Sequence, residues 1–310
     1  MLHRHEQLLT ALYAAGRGIS RIELMELHFL ARQEALEAPC RLYDFLPHKY
    51  GPYSFLVEHD LASLGENGMI TAAPGRITPM ASADRALTHL SAVERAAIEN
   101  VSRHYSSLRR IDLLRYVYST YPYFASRSVL VRKPASQPSP PPSDLFTMGY
   151  EGQTIDSFLN RMLERRVQTI LDVRRNPISH KYGFSKSAMR NCSARVGIAY
   201  VHLPQLGIPN SFRKELKTPA DYERLFEEYE TSLLPQAPEA FLEACRTATE
   251  ARSALMCFEG DPRFCHRGRL AARMACETGL RVVHLRSDTD RVACGLPCSR
   301  SRPPRSARPR

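Results

Sequence analysis

The residues best suited to chemistry lie in Gly260-Asp261-Pro262-Arg263-Phe264-Cys265-His266-Arg267-Gly268-Arg269, a polar loop that runs into an amphipathic stretch. At or near a helix start, Cys265 would feel the helix dipole and the neighbouring cations Arg263, Arg267 and His266. Together these favour a thiolate and make Cys265 the best nucleophile candidate in the chain. Three other readings compete with it. A phosphatase-like anion loop is imperfect, because Arg267 follows Cys265 by only two residues. Zinc binding by Cys257, Cys265 and His266 matches no regular paired-cysteine spacing, so neither a metal nor another cofactor is expected. The third reading is inert thiols with Arg267 in an ion pair.

Three further loops carry groups of the same kind. Met148-Gly149-Tyr150-Glu151-Gly152-Gln153-Thr154 has two glycines for a tight turn and Thr154 as a helix cap, with helix-start amides available to an anion. In Asp172-Val173-Arg174-Arg175-Asn176-Pro177 the acid and Arg174 are two apart, on one face of a strand end. Lys181 and Lys186 follow as point charges. Here the bland alternative is a solvated basic loop with Asp172 paired to an arginine. His202, in Tyr200-Val201-His202-Leu203, brings a group able to transfer protons near neutral pH, or else is a satisfied structural histidine. The candidate catalytic set is therefore Cys265, His202 and Asp172. Tyr150, Glu151, Arg174, Lys186, His266 and Arg267 form the candidate anion-binding set.

These loops need a frame that gathers them. Apolar runs at Leu145–Gly149, Thr169–Val173, Ala199–Leu203, Ala254–Phe258 and Arg281–Leu285 alternate with helical stretches at Thr154–Arg165, Ser185–Val196, Ala220–Leu234, Pro238–Ala251 and Gly268–Thr278. Such alternation predicts a mostly parallel sheet flanked by helices, with ligands beyond the carboxyl ends of the strands. Residues 1–131 read instead as mainly helical. The stretch Phe55–Leu64 is followed by a short extended segment near Ile70, an order that suits a winged-helix-like unit. A Pro-rich linker at 132–144 separates this half from the α/β domain at 145–293, and a Pro/Arg/Ser-rich tail at 294–310 is expected to be disordered.

Taken together, Gly149-Tyr150-Glu151-Gly152, Asp172-Val173-Arg174-Arg175-Asn176-Pro177, Gly183-Phe184-Ser185-Lys186, Tyr200-Val201-His202-Leu203-Pro204-Gln205-Leu206-Gly207 and Cys265-His266-Arg267 resemble the domain-of-unknown-function 488 family. The resemblance implies a compact three-layer α/β/α domain whose motif loops converge at one end of the sheet, and it implies no particular reaction. Gln205 departs from the family's usual Glu after the proline, and Ile208-Pro209-Asn210-Ser211 departs from its glycine-rich or basic segment, which weakens an acid/base role for that loop. In the first half, Phe45-Leu46-Pro47-His48-Lys49-Tyr50-Gly51-Pro52-Tyr53-Ser54, Asp60-Leu61-Ala62-Ser63-Leu64 and Gly68-Met69-Ile70 resemble the Panacea, or SocA-like, antitoxin-associated domain. That would imply a protein partner bound through residues 1–131, with DNA as a further partner and a toxin–antitoxin or defence setting.

Composition bounds the remaining choices. No apolar run approaches the roughly 18 residues of a membrane span, and the start of the chain shows no secretory pattern, so a cytoplasmic protein with eight mostly reduced cysteines is expected. Five of the eleven net positive charges are the arginines after Cys294, leaving the remainder only moderately basic. This suits an anionic small molecule or nucleic acid. The leading expectation is an enzyme acting on a phosphorylated or nucleic-acid-derived substrate. The alternative is a non-catalytic nucleotide- or nucleic-acid-binding module.

Overall fold

A computed structural model of the chain describes residues 2–34, 42–73, 75–81, 83, 89–130, 142–213, 216–285 and 290–292. Most of the Pro-rich linker and the whole basic tail lie outside these residues. The chain forms two compact units that interleave in sequence. Unit 1 comprises Met1–Pro138, Thr154–Glu164 and Ser179–Ala188; unit 2 comprises Ser139–Gln153, Arg165–Ile178 and Met189–Arg310.

Unit 1 is mainly helical. Helices α1 (His3–Ala15) and α2 (Arg21–Glu34) are followed by a hairpin of β1 (Leu46–His48) and β2 (Gly51–Tyr53), then α3 (Phe55–Glu66) and a second hairpin of β3 (Ile70–Ala73) and β4 (Arg76–Pro79). Ile19, between α1 and α2, bridges Ile77 of β4 antiparallel, so the second hairpin gains a third strand position. The first hairpin turns through Lys49 and Tyr50. The hairpin forms because Gly51 adopts φ +107°, a conformation open chiefly to glycine. Helices α4 (Ala92–Ser106), α5 (Arg110–Thr120) and α6 (Pro122–Ala125) complete the first segment, with α4 started by a reciprocal Ser91/Glu94 capping box. Leu8, Leu12, Leu24, Phe29, Val57 and Ile98 are among the core residues.

Helix α7 (Ile155–Glu164) belongs to this unit as well. Its buried Asp156 accepts hydrogen bonds from the Ser54 hydroxyl at 2.9 Å and from the amides of Phe55 and Leu56 at 2.6 and 3.1 Å. These are groups at the start of α3, where a helix leaves its first amides without internal partners.

Unit 2 is built on one six-stranded sheet. Strands β5 (Asp144–Gly149), β6 (Thr169–Asp172), β7 (Ala199–His202), β8 (Ser253–Cys257) and β9 (Arg281–Leu285) are parallel in the order β9-β5-β8-β6-β7, and β10 (Asp290–Val292) adds antiparallel to β9. The described helices connecting the strands are α8 (Lys186–Arg195), α9 (Pro219–Glu228), α10 (Pro238–Glu250) and α11 (His266–Thr278). This is the mixed α/β architecture expected, a parallel sheet flanked by helices and preceded by a helical region. Every residue of β5, β6 and β8 is buried, which is why these strands read as continuous apolar runs rather than alternating ones.

Connectivity singles out one place in the sheet. From β6 the chain moves outward to β7, whereas from β8 it moves the other way, past β5, to β9. The neighbours β6 and β8 thus send their connections in opposite directions. In open parallel sheets ligands bind beyond the carboxyl ends of the strands at such a point.

Candidate functional site at the carboxyl ends of the sheet

Strand β8 ends at Cys257, and the loop after it returns through a short turn at Pro262–Phe264 to Cys265, the N-cap of α11. The fold therefore brings together Cys257, Cys265 and His266, whose sulfur and ring-nitrogen atoms all lie within 4.8 Å of one another. Each Sγ is 4.0 Å from His266 Nδ1. His266 Nε2 contacts the Val173 carbonyl just beyond β6 at 3.1 Å. A carbonyl can only accept, so Nε2 carries the proton, and in the neutral ring Nδ1 presents its lone pair to the two sulfurs. Cys257 Sγ also donates to Glu259 Oε2 at 3.3 Å.

Both thiols are buried, Cys265 being 1% exposed, and they titrate as a pair. The hydrogen bond to Cys265 holds the Cys257 proton and, with burial, raises that thiol well above its usual value. Burial pushes Cys265 upward too, yet the hydrogen bond from Cys257, the charge of Arg267 and the contact with His266 carry it well below. The two shifts run in opposite directions, which favours ionisation of Cys265 before Cys257.

The arginines serve the frame. Arg174 donates to Asp172 from Nε at 2.8 Å, from Nη2 at 2.5 Å and from its amide at 3.1 Å, and to the Tyr150 hydroxyl at 3.2 Å. Burial opposes its charge, but the Asp172 carboxylate more than restores it, and the pKa rises. The Tyr200 hydroxyl donates to the same carboxylate at 2.6 Å, and burial together with that anion raises the phenol pKa. Arg267, fully buried, gives its guanidinium to the carbonyls of Glu259 and Gly260, the latter at 2.8 Å. Sequence reasoning assigned Arg174 and Arg267 to an anion. The Arg174 donors named above and both Nη groups of Arg267 instead face acceptors of the fold, because both side chains point into the packed strand ends rather than out of them.

The remaining predicted residues fall as follows. Tyr150 packs edge-on against Phe258, with ring centroids 5.2 Å apart, and Glu151 accepts from the Gly260 amide at 2.8 Å. Both tie the β5 loop to the β8 loop. This close approach demands Gly149, where a Cβ would stand 1.7 Å from the Glu259 carbonyl oxygen. His202 Nε2 donates to the Arg174 carbonyl at 3.0 Å. Lys186 is exposed and belongs to the segment of unit 1 at 179–188.

Beside the cluster is a pocket of about 400 Å³. Ile208, Leu216 and Leu225 form an aliphatic wall; Tyr222, Phe226 and Phe264 line it with aromatic rings, Tyr222 and Phe264 meeting edge to face at 5.4 Å. Glu259 and His266 reach it from the cluster, and exposed Lys217 contributes a cation. Sequence reasoning did not single out Lys217, Tyr222 or Phe264. The acids of the α9 stretch marked its solvated face, and the complementary face at Tyr222, Leu225 and Phe226 was the available signal for a binding wall.

A family comparison covers much of this region. Residues 154–274 match the model for Domain of unknown function DUF488. The match runs from α7 into α11 and includes the Asp172–Arg174 pair, the cysteine and histidine cluster and the pocket-forming helix α9. No curated protein and no solved structure matches the chain. Among the described residues no helix is long and apolar enough to cross a membrane.

Proposed function

We propose that the DUF488-like region of unit 2 is an enzyme acting on a phosphorylated, nucleic-acid-derived substrate. The observation carrying this reading is the pocket between α9 and the β8–α11 loop, apolar and aromatic on its walls, with Glu259 and His266 entering from the buried thiol cluster. A base or comparable ring fits between aromatic side chains, Lys217 offers a charge to a phosphate, and a few polar groups meet at one end. Glu259 is the proton-transfer group that contacts substrate, and the Cys257–Cys265–His266 cluster supplies the reacting centre beneath it. Asp172, Arg174 and His202 are positioning residues that hold the ends of β6 and β7.

Thermal-shift and turnover measurements on the full chain, with a panel of nucleoside phosphates and short oligonucleotides, test this. At least one ligand should raise Tm and be converted. Lys217→Ala and Tyr222→Ala should each weaken its binding about tenfold, and Glu259→Gln should abolish conversion while binding persists. If none of the panel binds, the reading fails. Binding without conversion would establish the second reading, a nucleotide-sensing module, which the full burial of both thiols and of Arg267 favours.

We read residues 1–131 as a Panacea-like interaction domain with a toxin–antitoxin or defence role, and the protein as cytoplasmic. Tyr50, Val129 and Leu130, all at least half exposed, support a partner surface there; the Val129 amide bonds the Lys49 carbonyl, which places Val129 and Leu130 beside the β1–β2 turn.

A further inference from the structure

We infer that Cys257, Cys265 and His266 bind a divalent transition-metal ion, zinc by their donor set, with Glu259 completing the coordination. The inference deepens the reading above and rests on it for the role of the pocket. Two thiolates and one imidazole are the ligands zinc favours, and such a site needs ligand atoms held close in a dry environment. Tetrahedral zinc with sulfur at about 2.3 Å and nitrogen at about 2.0 Å separates its ligand atoms by roughly 3.5–3.8 Å. The 4.0 Å from His266 Nδ1 to each sulfur therefore requires a contraction of about half an ångström.

The surroundings are those of a ligand set. The Nε2–H of His266 is fixed on the Val173 carbonyl, the orientation metal-bound histidines share, and it leaves Nδ1 as the donor atom. Glu259 Oε2 is 3.3 Å from Cys257 Sγ and also lines the pocket, so the fourth position faces the ligand space, where a water or substrate oxygen can replace the carboxylate. Charge balances as well. Two thiolates and a carboxylate exceed a dication by one negative charge, and buried Arg267, which acts electrostatically on both sulfurs, supplies the compensating positive one. On spacing alone a metal was not expected. The seven residues between Cys257 and Cys265 fit no paired-cysteine pattern, but the turn at Pro262–Phe264 brings the second sulfur back to the first.

The test is the metal content of the full chain, purified under reducing conditions from zinc-supplemented growth and dialysed. About one zinc ion per chain is expected, with Cys257→Ser, Cys265→Ser and His266→Ala each falling below about a tenth of that and Cys192→Ser unchanged. Should the variants misfold by circular dichroism, cobalt loading of the wild-type apoprotein decides: a thiolate-to-cobalt charge-transfer band is expected. Wild-type chain that takes up neither zinc nor cobalt overturns the inference, as do folded cysteine variants that keep full metal. Metal without any nucleotide binding would sink the proposed substrate and leave the site; nucleotide turnover by metal-free chain would do the reverse.

Discussion

Replacing Arg174 with alanine is expected to cost about 3–5 kcal/mol of stability, because it strands the buried Asp172 carboxylate without its counter-ion. Three hydrogen bonds from Arg174 reach that carboxylate, and only the one from its amide survives the substitution. The Tyr200 hydroxyl cannot replace a cation. Tyr200→Phe, which removes one neutral donor and leaves the counter-ion in place, should therefore cost less, about 1.5–3 kcal/mol. Replacing both partners with apolar residues of similar volume, Asp172→Leu with Arg174→Met, should recover most of the loss, since the penalty comes from the unpaired charge rather than from the missing contact. Urea unfolding of the four proteins measures this. A loss below about 1 kcal/mol for Arg174→Ala, or a double variant worse than the single one, would contradict it. The effect should reach the reacting cluster, because the same strand end presents the Val173 carbonyl that orients His266.

The second large effect is a pH dependence set by unit 1. Glu26 is buried, its carboxyl oxygens find no hydrogen-bond partner among the described residues, and burial pushes its pKa up to about 9. Nearby in sequence, fully buried His28 is pushed down to about 4, again by burial. The raised acid stabilises the fold below its unfolded value of 4.5, and that contribution is lost as pH rises toward 9; the lowered histidine does the opposite between 6.5 and 4. From 4.5 to 6.5 the two slopes cancel. Above 6.5 only Glu26 acts, and stability should fall by about 1.4 kcal/mol per pH unit, or ~3 kcal/mol by pH 9. Glu26→Gln, neutral at every pH, should flatten that fall and, by removing the slope that offsets His28, leave stability rising with pH between 4.5 and 6.5. Unfolding curves at several pH values test it, and parallel profiles for the two proteins would count against it.

The frame was more legible than the site. Strands β5, β6 and β8 were readable because burial on both faces selects near-continuous apolar runs, and Cys265 was readable as a helix start from its place before an amphipathic stretch. The helix begins at His266, earlier than the periodicity around Gly268 suggested. The i, i+2 spacing of Asp172 and Arg174 pointed to an ion pair as readily as to an anion site, and the ion pair is what forms. Three features had no local signal. Cys257 meets Cys265 through a loop reversal, Glu259 is seated by the missing Cβ of Gly149 on another strand, and the Asp156 carboxylate caps a helix a hundred residues away. The first depends on the path of one loop and the other two on contacts between segments distant in sequence, none of which spacing and periodicity encode.

The central claim, that the pocket between α9 and the β8–α11 loop is where substrate reacts, is tested most directly by a crystal structure of the full chain with a hydrolysis-resistant nucleotide. The account predicts density for the base among Tyr222, Phe226 and Phe264 and for a phosphate at Lys217, above Glu259 and His266. A nucleotide bound elsewhere with this pocket empty would contradict it.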